Sequence, residues 1–106
     1  MSTQTENNWA DELQKDEVYS LRLFVAGTST TSLRAITNLN KILEENLKTK
    51  YTLEIIDIYQ QPEMAQQENI TAVPLLVKYA PYPKRFLVGD MSDQNRVLRG
   101  LGLIHL

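Results

Sequence analysis

The sequence contains no cysteine, which excludes disulfides, thiolate nucleophiles, Cys-based zinc sites and thiol redox chemistry together. Histidine is nearly absent. The one copy, His105, stands next to the last residue, so Ser–His catalysis or a His-rich metal site would rest on that position alone. A basic excess is missing as well: eleven Lys and Arg face thirteen Asp and Glu, a net charge of −2. Sequence-independent nucleic-acid binding needs positive charge to neutralise phosphates, so a nucleic-acid partner is not expected. No apolar run approaches the roughly 18 residues that span a bilayer. Residues 1–10 have neither the basic nor the apolar segment of a secretory signal, so the expected location is the cytoplasm, with no membrane partner.

What remains is ordinary for one globular domain: 106 residues, 42% hydrophobic and 23% charged. The charge is unevenly spread. Glu6, Asp11, Glu12, Asp16 and Glu17 against Lys15 leave residues 1–17 at −4, and the remainder of the chain at +2. Residues 1–17 are expected as a flexible, solvated acidic arm, with little apolar matter to bury. A short helix from Trp9 to Lys15, docking Trp9 and Leu13, is the alternative. The domain proper is placed at 18–106.

Alternating Tyr19, Leu21, Leu23 and Val25 predict a first strand at 18–26, apolar on both faces toward its end. Gly27 ends it, and Thr28-Ser29-Thr30-Thr31-Ser32 offers several N-cap hydroxyls. Leu33, Ile36, Leu39, Leu43 and Leu47 form the stripe of a helix at 31–48, with Lys48 and Lys50 at its C-terminal end. A second strand is expected at 51–59, and Pro62 opens a short helix at 62–69 that turns Met64 and Ala65 inward. Leu75–Tyr79 and Lys84–Val88 predict two strands joined by Ala80-Pro81-Tyr82-Pro83. Ser92 can cap a last helix at 92–101 carrying Val97, Leu98 and Leu101. The order βαβαββα belongs to the α/β class on a small mixed sheet.

Candidate chemistry is sparse. The loop 27–32 could cradle an anion with backbone N–H groups or simply start a capped helix; it has neither the Lys of a Walker loop nor a dinucleotide fingerprint. Glu44 and Glu45 fall on a polar helix face. Asp57 lies near a strand's C-terminal end, where α/β folds bind ligands, but has no visible acid–base partner. Pro74 suits a strand start or edge, or a cis bond after Val73. Lys78, Lys84 and Arg85 with Tyr79, Tyr82 and Phe86 form a basic–aromatic cluster, either a solvated hairpin with tyrosine packing or a protein-binding surface. No cofactor or metal site is expected.

The segments LRLFVAGTSTTSLRAITNLNKILEENL and YTLEIIDIYQQPEMAQQENITAVPLLVKYAPYPKRFLVGDMSDQNRVLRGLGL resemble the KaiB family of cyanobacterial clock proteins over about residues 18–104. The motifs that carry the resemblance are Phe24-Val25-Ala26-Gly27, Ser32-Leu33-Arg34-Ala35, Ile56-Asp57-Ile58, Val73-Pro74, and Gly89-Asp90 followed by Val97-Leu98 and Gly100. The resemblance implies two arrangements: a thioredoxin-like βαβαββα monomer and a ground-state βαββααβ form, usually a tetramer. The ground state is the expectation for the isolated chain. In the thioredoxin-like state Pro74 matches the cis-Pro position, and Thr28-Ser29-Thr30-Thr31 stands where thioredoxins carry their Cys pair.

The implied function is a non-enzymatic regulator. Its thioredoxin-like state would bind a KaiC-type ring ATPase and displace a sensor histidine kinase that carries its own KaiB-like domain. A stress or signalling adaptor that binds a histidine kinase or another protein without KaiC is the alternative, and a thioredoxin-fold enzyme using Asp57 or Thr28 is a third. Arg34, Lys84 and Arg85 are the implied partner contacts. Asn69 replaces the family's Lys on the second helix, and Gly102 stands where the family often has Asp. Val73, Pro74, Gly100 and Gly102 are the implied fold-switch or structural positions. Gly at 100 and 102 weakens a helix by about 1 kcal/mol each relative to Ala, or caps one. The family's acidic C-terminal tail is missing and the acidic N-terminal arm is added, the pattern expected of a divergent homologue. Self-association as a dimer or tetramer is a further expectation from the resemblance.

Overall fold

The computed structural model describes residues 18–104. The expectations for the arm at 1–17, its Trp9–Lys15 helix and His105 lie outside the described residues. Seven elements follow in the order β1 (Tyr19–Val25), α1 (Thr30–Asn46), β2 (Tyr51–Asp57), α2 (Pro62–Gln67), β3 (Leu75–Ala80), β4 (Arg85–Val88) and α3 (Gln94–Leu101). This is the thioredoxin-like arrangement. The ground-state arrangement expected for the isolated chain is not the one adopted.

The sheet order is β2-β1-β3-β4. β1 runs parallel to β2, which requires the crossover that α1 supplies, and antiparallel to β3, which continues into β4. Strand alternation splits the apolar residues into two layers. Leu21, Leu23, Val25 and Leu76 face α1 and α3 in the larger, inner cluster. Phe24, Ile56, Leu75 and Val77 face the other way, against Ile58, Met64, Ile70 and Val73 around α2. The Val73–Pro74 bond is cis, as the resemblance implies.

The boundaries follow local chemistry. Ser29 caps α1, accepting from Ser32 N at 3.2 Å, so the helix begins at Thr30. Its buried face is Ala35, Leu39, Ile42 and Leu43. Leu33, expected on that stripe, is 51% exposed, because it lies roughly 200° around the helix from Ala35. The helix ends at Asn46 rather than 48, with Leu47 and Lys48 both donating to Leu43 O and Lys48 in the left-handed region. β2 stops at Asp57, not at 59, because the Asp57 carboxylate turns back to accept from Tyr59 N at 3.0 Å. Pro62 opens α2 as expected, but the helix lasts only to Gln67, and Met64 and Ala65 are half-buried.

The last helix decides which arrangement exists. Asp93, not Ser92, caps it, accepting from Arg96 N at 3.1 Å; Ser92 belongs to the preceding turn, where its N–H donates to Asp90 Oδ1. Val97, Leu98 and Leu101 are buried in the inner cluster. Gly102, at φ 78°, ends the helix, and Leu103 N reaches back to Leu98 O at 2.8 Å, the closure of a Schellman motif. The Tyr19 hydroxyl donates to Leu101 O at 2.8 Å and ties this end to the start of β1. Among the described residues no helix is long and apolar enough to cross a membrane.

The two glycines of this segment predict opposite substitution effects. A Cβ on Gly100 meets only the Leu87 methyls, at 3.4 Å and beyond, so Gly100→Ala gains helix propensity, up to about 1 kcal/mol. Gly102→Ala places a side chain in the left-handed region and loses about 1–2 kcal/mol. Urea unfolding of both variants measures the signs. Equal effects would mean that α3 does not end at Gly102.

Candidate functional site

The loop after β1 turns Gly27, Ser29 and Ser32 onto the chain's own groups. Gly27, at φ 57°, donates from its N–H to Asp57 Oδ1 at 3.1 Å, the same oxygen that accepts from Tyr59 N. Ser32 is buried at the start of α1; its hydroxyl oxygen accepts from Ala26 N at 3.0 Å and from Ser29 Oγ at 2.8 Å. Asp57, a candidate acid in the sequence, is thus the clamp between the β1 and β2 ends. Among the described residues, neither serine hydroxyl has a hydrogen bond to a basic side chain. Ser29 and Ser32, rather than Thr28 and Thr31, form the pair at the helix start. The S-x-x-S capping spacing was the available signal. Among the described residues no group of three or more His, Cys, Asp or Glu could hold a metal ion.

The outer sheet face offers more. The six residues of α2 cover only the part around Phe24, Ile56 and Leu75. Beyond it Tyr79 sits between two cations. The Arg22 guanidinium lies 5.1 Å and the Lys84 ammonium 5.0 Å from the Tyr79 ring centre, both within cation–π range. Lys84 is also 5.3 Å from the Phe86 ring centre. Each cation has a carboxylate: Arg22 Nε donates to Glu54 Oε1 at 2.9 Å, and Lys84 Nζ to Glu68 Oε1 at 3.0 Å. The Tyr79 hydroxyl is buried within this cluster and closes no hydrogen bond of ordinary geometry among the described residues. Burial, then the facing Glu68 carboxylate, push its pKa up to about 12 against the opposing pull of Arg22. Burial raises the Glu68 carboxyl, but the Tyr79 hydroxyl, Lys84 and the Arg22 charge outweigh it and hold Glu68 below its ordinary value.

The sequence-derived site residues divide. Asn69, exposed and at φ 56°, follows Glu68 directly and lines a cavity of about 220 Å³ with Ile70, Ala72, Phe86 and Val88. Lys84 reaches Glu68 beside it, so Asn69 and Lys84 come together. Phe86 and Val88, 50% and 45% exposed, form the apolar wall of this place. Arg85 is exposed but projects from the opposite face of β4 to Phe86. Arg34 is exposed on α1 across the sheet. It lies near Asp90, whose pKa is lowered first by Ser92 hydrogen bonds and further by the Arg34 charge. Val73 and Pro74 lead into β3, where Pro74 O accepts from Gly89 N at 3.0 Å. Gly100 and Gly102 lie on the inner side with α3.

The basic–aromatic cluster is therefore two groups, not one. Lys78 alternates to the inner side of β3 with Leu76 and is buried, and Tyr82 stands 92% exposed at the hairpin tip. Arg22, Glu54 and Glu68 are members that sequence reasoning missed. Arg22 and Glu54 are register partners in the parallel β1–β2 pair, a relation visible only once the strands are aligned.

With this geometry in place, comparison with known proteins is specific. The family model described as the KaiB domain matches residues 22–103. The circadian clock oscillator protein KaiB of Prochlorococcus marinus strain MIT 9211 is 44% identical over 89 residues, which cover 84% of this chain and 78% of that protein. The KaiB of a Cyanothece strain is 42% identical over 89 residues, 84% and 85% of the two chains. Among solved structures, the N-terminal domain of Synechococcus elongatus SasA is similar with a TM-score of 0.67 and 26% identity, covering 85% of this chain and 89% of that one. Mitochondrial thioredoxin 3 of Saccharomyces cerevisiae has a TM-score of 0.67 at 16% identity, over 88% and 85% of the two chains, a likeness of fold alone.

Tyr79 supplies a pH test. Its folded pKa of about 12 lies above the ordinary value of about 10. Between these values the unfolded chain has lost the proton that the folded chain still holds, so stability falls as pH rises through that window and is unaffected below it. Tyr79→Phe removes the effect. Urea midpoints at about pH 9 and about pH 11 should fall further for the wild type than for Tyr79→Phe; parallel falls would contradict the burial of the hydroxyl.

Proposed function

The chain belongs to the KaiB family, and from that premise we propose that it is a non-enzymatic clock-type regulator whose partner is a KaiC-type ring ATPase. The observation that carries this reading is the Asn69–Glu68–Lys84 corner beside the exposed Phe86 and Val88, built on the thioredoxin-like arrangement. Charged groups rimming exposed apolar side chains suit a protein partner. The same loop that holds the reactive thiols in thioredoxins has its Ser29 and Ser32 hydroxyls spent on caps and backbone here, which supports binding rather than turnover.

The mechanism is a population shift. A partner that binds the thioredoxin-like state better than a self-associated ground state draws the chain toward it, by as much as its differential affinity. The likeness to the SasA N-terminal domain supports competition between this chain and a KaiB-like kinase domain for one site. Arg34 and Arg85, away from the corner, serve as outlying contacts. Asn69 contributes no charge, so Lys84 carries the positive contact at the corner, in a cytoplasmic setting.

Long incubation of the protein with a KaiC homologue of the same source and ATP, followed by size-exclusion chromatography, should yield a co-eluting complex. Lys84→Glu should weaken it by about tenfold or more, the equivalent of 1.4 kcal/mol. No complex after incubation long enough for slow binding would overturn the KaiC reading. A complex indifferent to Lys84→Glu would move the contact away from this corner.

A further inference from the structure

β4 is the last strand of the sheet, and among the described residues no strand pairs with its outer edge. Gly89 N donates to Pro74 O, so Arg85 and Leu87, of the same parity, turn their peptide groups toward β3. Phe86 and Val88 turn theirs outward. The Val88 carbonyl accepts from Arg96 Nη1 at 2.7 Å, while the Phe86 peptide groups meet no described partner. The two flanks of this edge differ. On the outer side stand the exposed Phe86 and Val88 side chains, beside the cavity of about 220 Å³. On the inner side Arg96 and Arg99 are neighbours on α3, three positions apart. α3 returns antiparallel to β4: Arg96 meets Val88, Gly100 faces Leu87, and Arg85, on the same side of β4 as Leu87, comes next. All three guanidiniums are exposed, and among the described residues none has a carboxylate partner. The acids nearest in sequence, Asp90 and Asp93, are turned onto the N–H groups of Ser92 and Arg96.

We propose that the β4 edge takes up an extended segment of another protein, one that alternates apolar and acidic residues. In an antiparallel pairing the residues that exchange hydrogen bonds with Phe86 and Val88 carry their side chains on the outer side, so these are the apolar ones. The residues between them fall on the inner side, where their carboxylates face Arg85, Arg96 and Arg99. Main-chain hydrogen bonds supply the affinity of such strand addition and alternate side chains its specificity; charge complementarity adds discrimination. Arg96 is the movable part. Its guanidinium leaves the Val88 carbonyl to an incoming N–H and pairs with a carboxylate of the segment. A second copy of this chain is a poor occupant, because joining two β4 edges sets the same cations against one another. A nucleic acid would meet the cations but leave the Phe86 and Val88 peptide groups unpaired. The proposal holds whichever protein supplies the segment, and its test uses no ATPase, so it and the ring-ATPase reading fail separately.

The test is an NMR titration of the full-length protein with a short capped peptide alternating valine and glutamate. The Phe86 and Val88 amides should shift on binding, and their hydrogen exchange should slow. The same peptide N-methylated at its valines, and an isomer with the valines and glutamates in separate blocks, should each bind about tenfold more weakly or worse. Arg96→Glu and Arg99→Glu, each with its fold verified by far-UV circular dichroism, should weaken the alternating peptide by a similar factor; Arg99 has no described partner, so its replacement leaves the Val88 contact in place. Four results would overturn the proposal: no shift at Phe86 and Val88 on peptide addition, equal binding of the N-methylated or block peptide, affinity unchanged by both substitutions in a folded chain, or a single-stranded DNA oligonucleotide that shifts the Arg96 and Arg99 amides more than the peptide does, which would assign the cations to nucleic acid.

Discussion

The docking of α3 on the inner sheet face is the constraint from which the rest follows. Val97, Leu98 and Leu101 are buried there, each worth about 1.5–3 kcal/mol relative to exposure. Asp93 fixes where the helix begins, Gly102 fixes where it stops, and the Tyr19 hydroxyl holds its last carbonyl. With α3 in place, β4 has a helix behind it and presents Phe86 and Val88 on the other side. Remove α3 and β4 loses its packing, Glu68 loses the strand that brings Lys84 to it, and the corner at Asn69 disperses.

Much of this architecture is legible in the residues because local and global signals agree. Alternation in β1, the hydroxyl-rich start of α1, Pro62 at the first turn of α2 and the two short runs around Ala80-Pro81-Tyr82-Pro83 each point to the element found. Disagreement arises where one residue has two plausible employers. Leu33 looks apolar enough for the α1 stripe, but its angle around the helix excludes it. Ser92 is a good cap, yet Asp93 stands closer to the first buried residue, Val97, and Asp90 claims the Ser92 N–H. Segment 96–103 reads both as a helix with glycines and as an alternating strand. Pattern alone does not decide between them; burial of three side chains and the Schellman closure do.

The site was less legible than the fold. Lys84 was implied by the family resemblance and Asn69 stood out as a departure from it, but Glu68, which pairs with Lys84 and precedes Asn69, gives no local signal. Tyr79 acquires meaning only from its neighbours: a tyrosine on a strand is ordinary, and one held between Arg22 and Lys84 with its hydroxyl buried is not. The missing thiols take on sense in the same way. A thioredoxin-like scaffold keeps Ser29 and Ser32 at the helix start and spends both on caps and backbone.

The most direct measurement is backbone chemical shift assignment of residues 94–103 in the full chain, alone and with a KaiC-type ATPase domain. A helix at 94–101 ended by Gly102 is required in the bound form, with Phe86 and Val88 perturbed on binding. Strand-type shifts across 96–103 that persist when the partner is bound would contradict the dependence of the binding corner on α3.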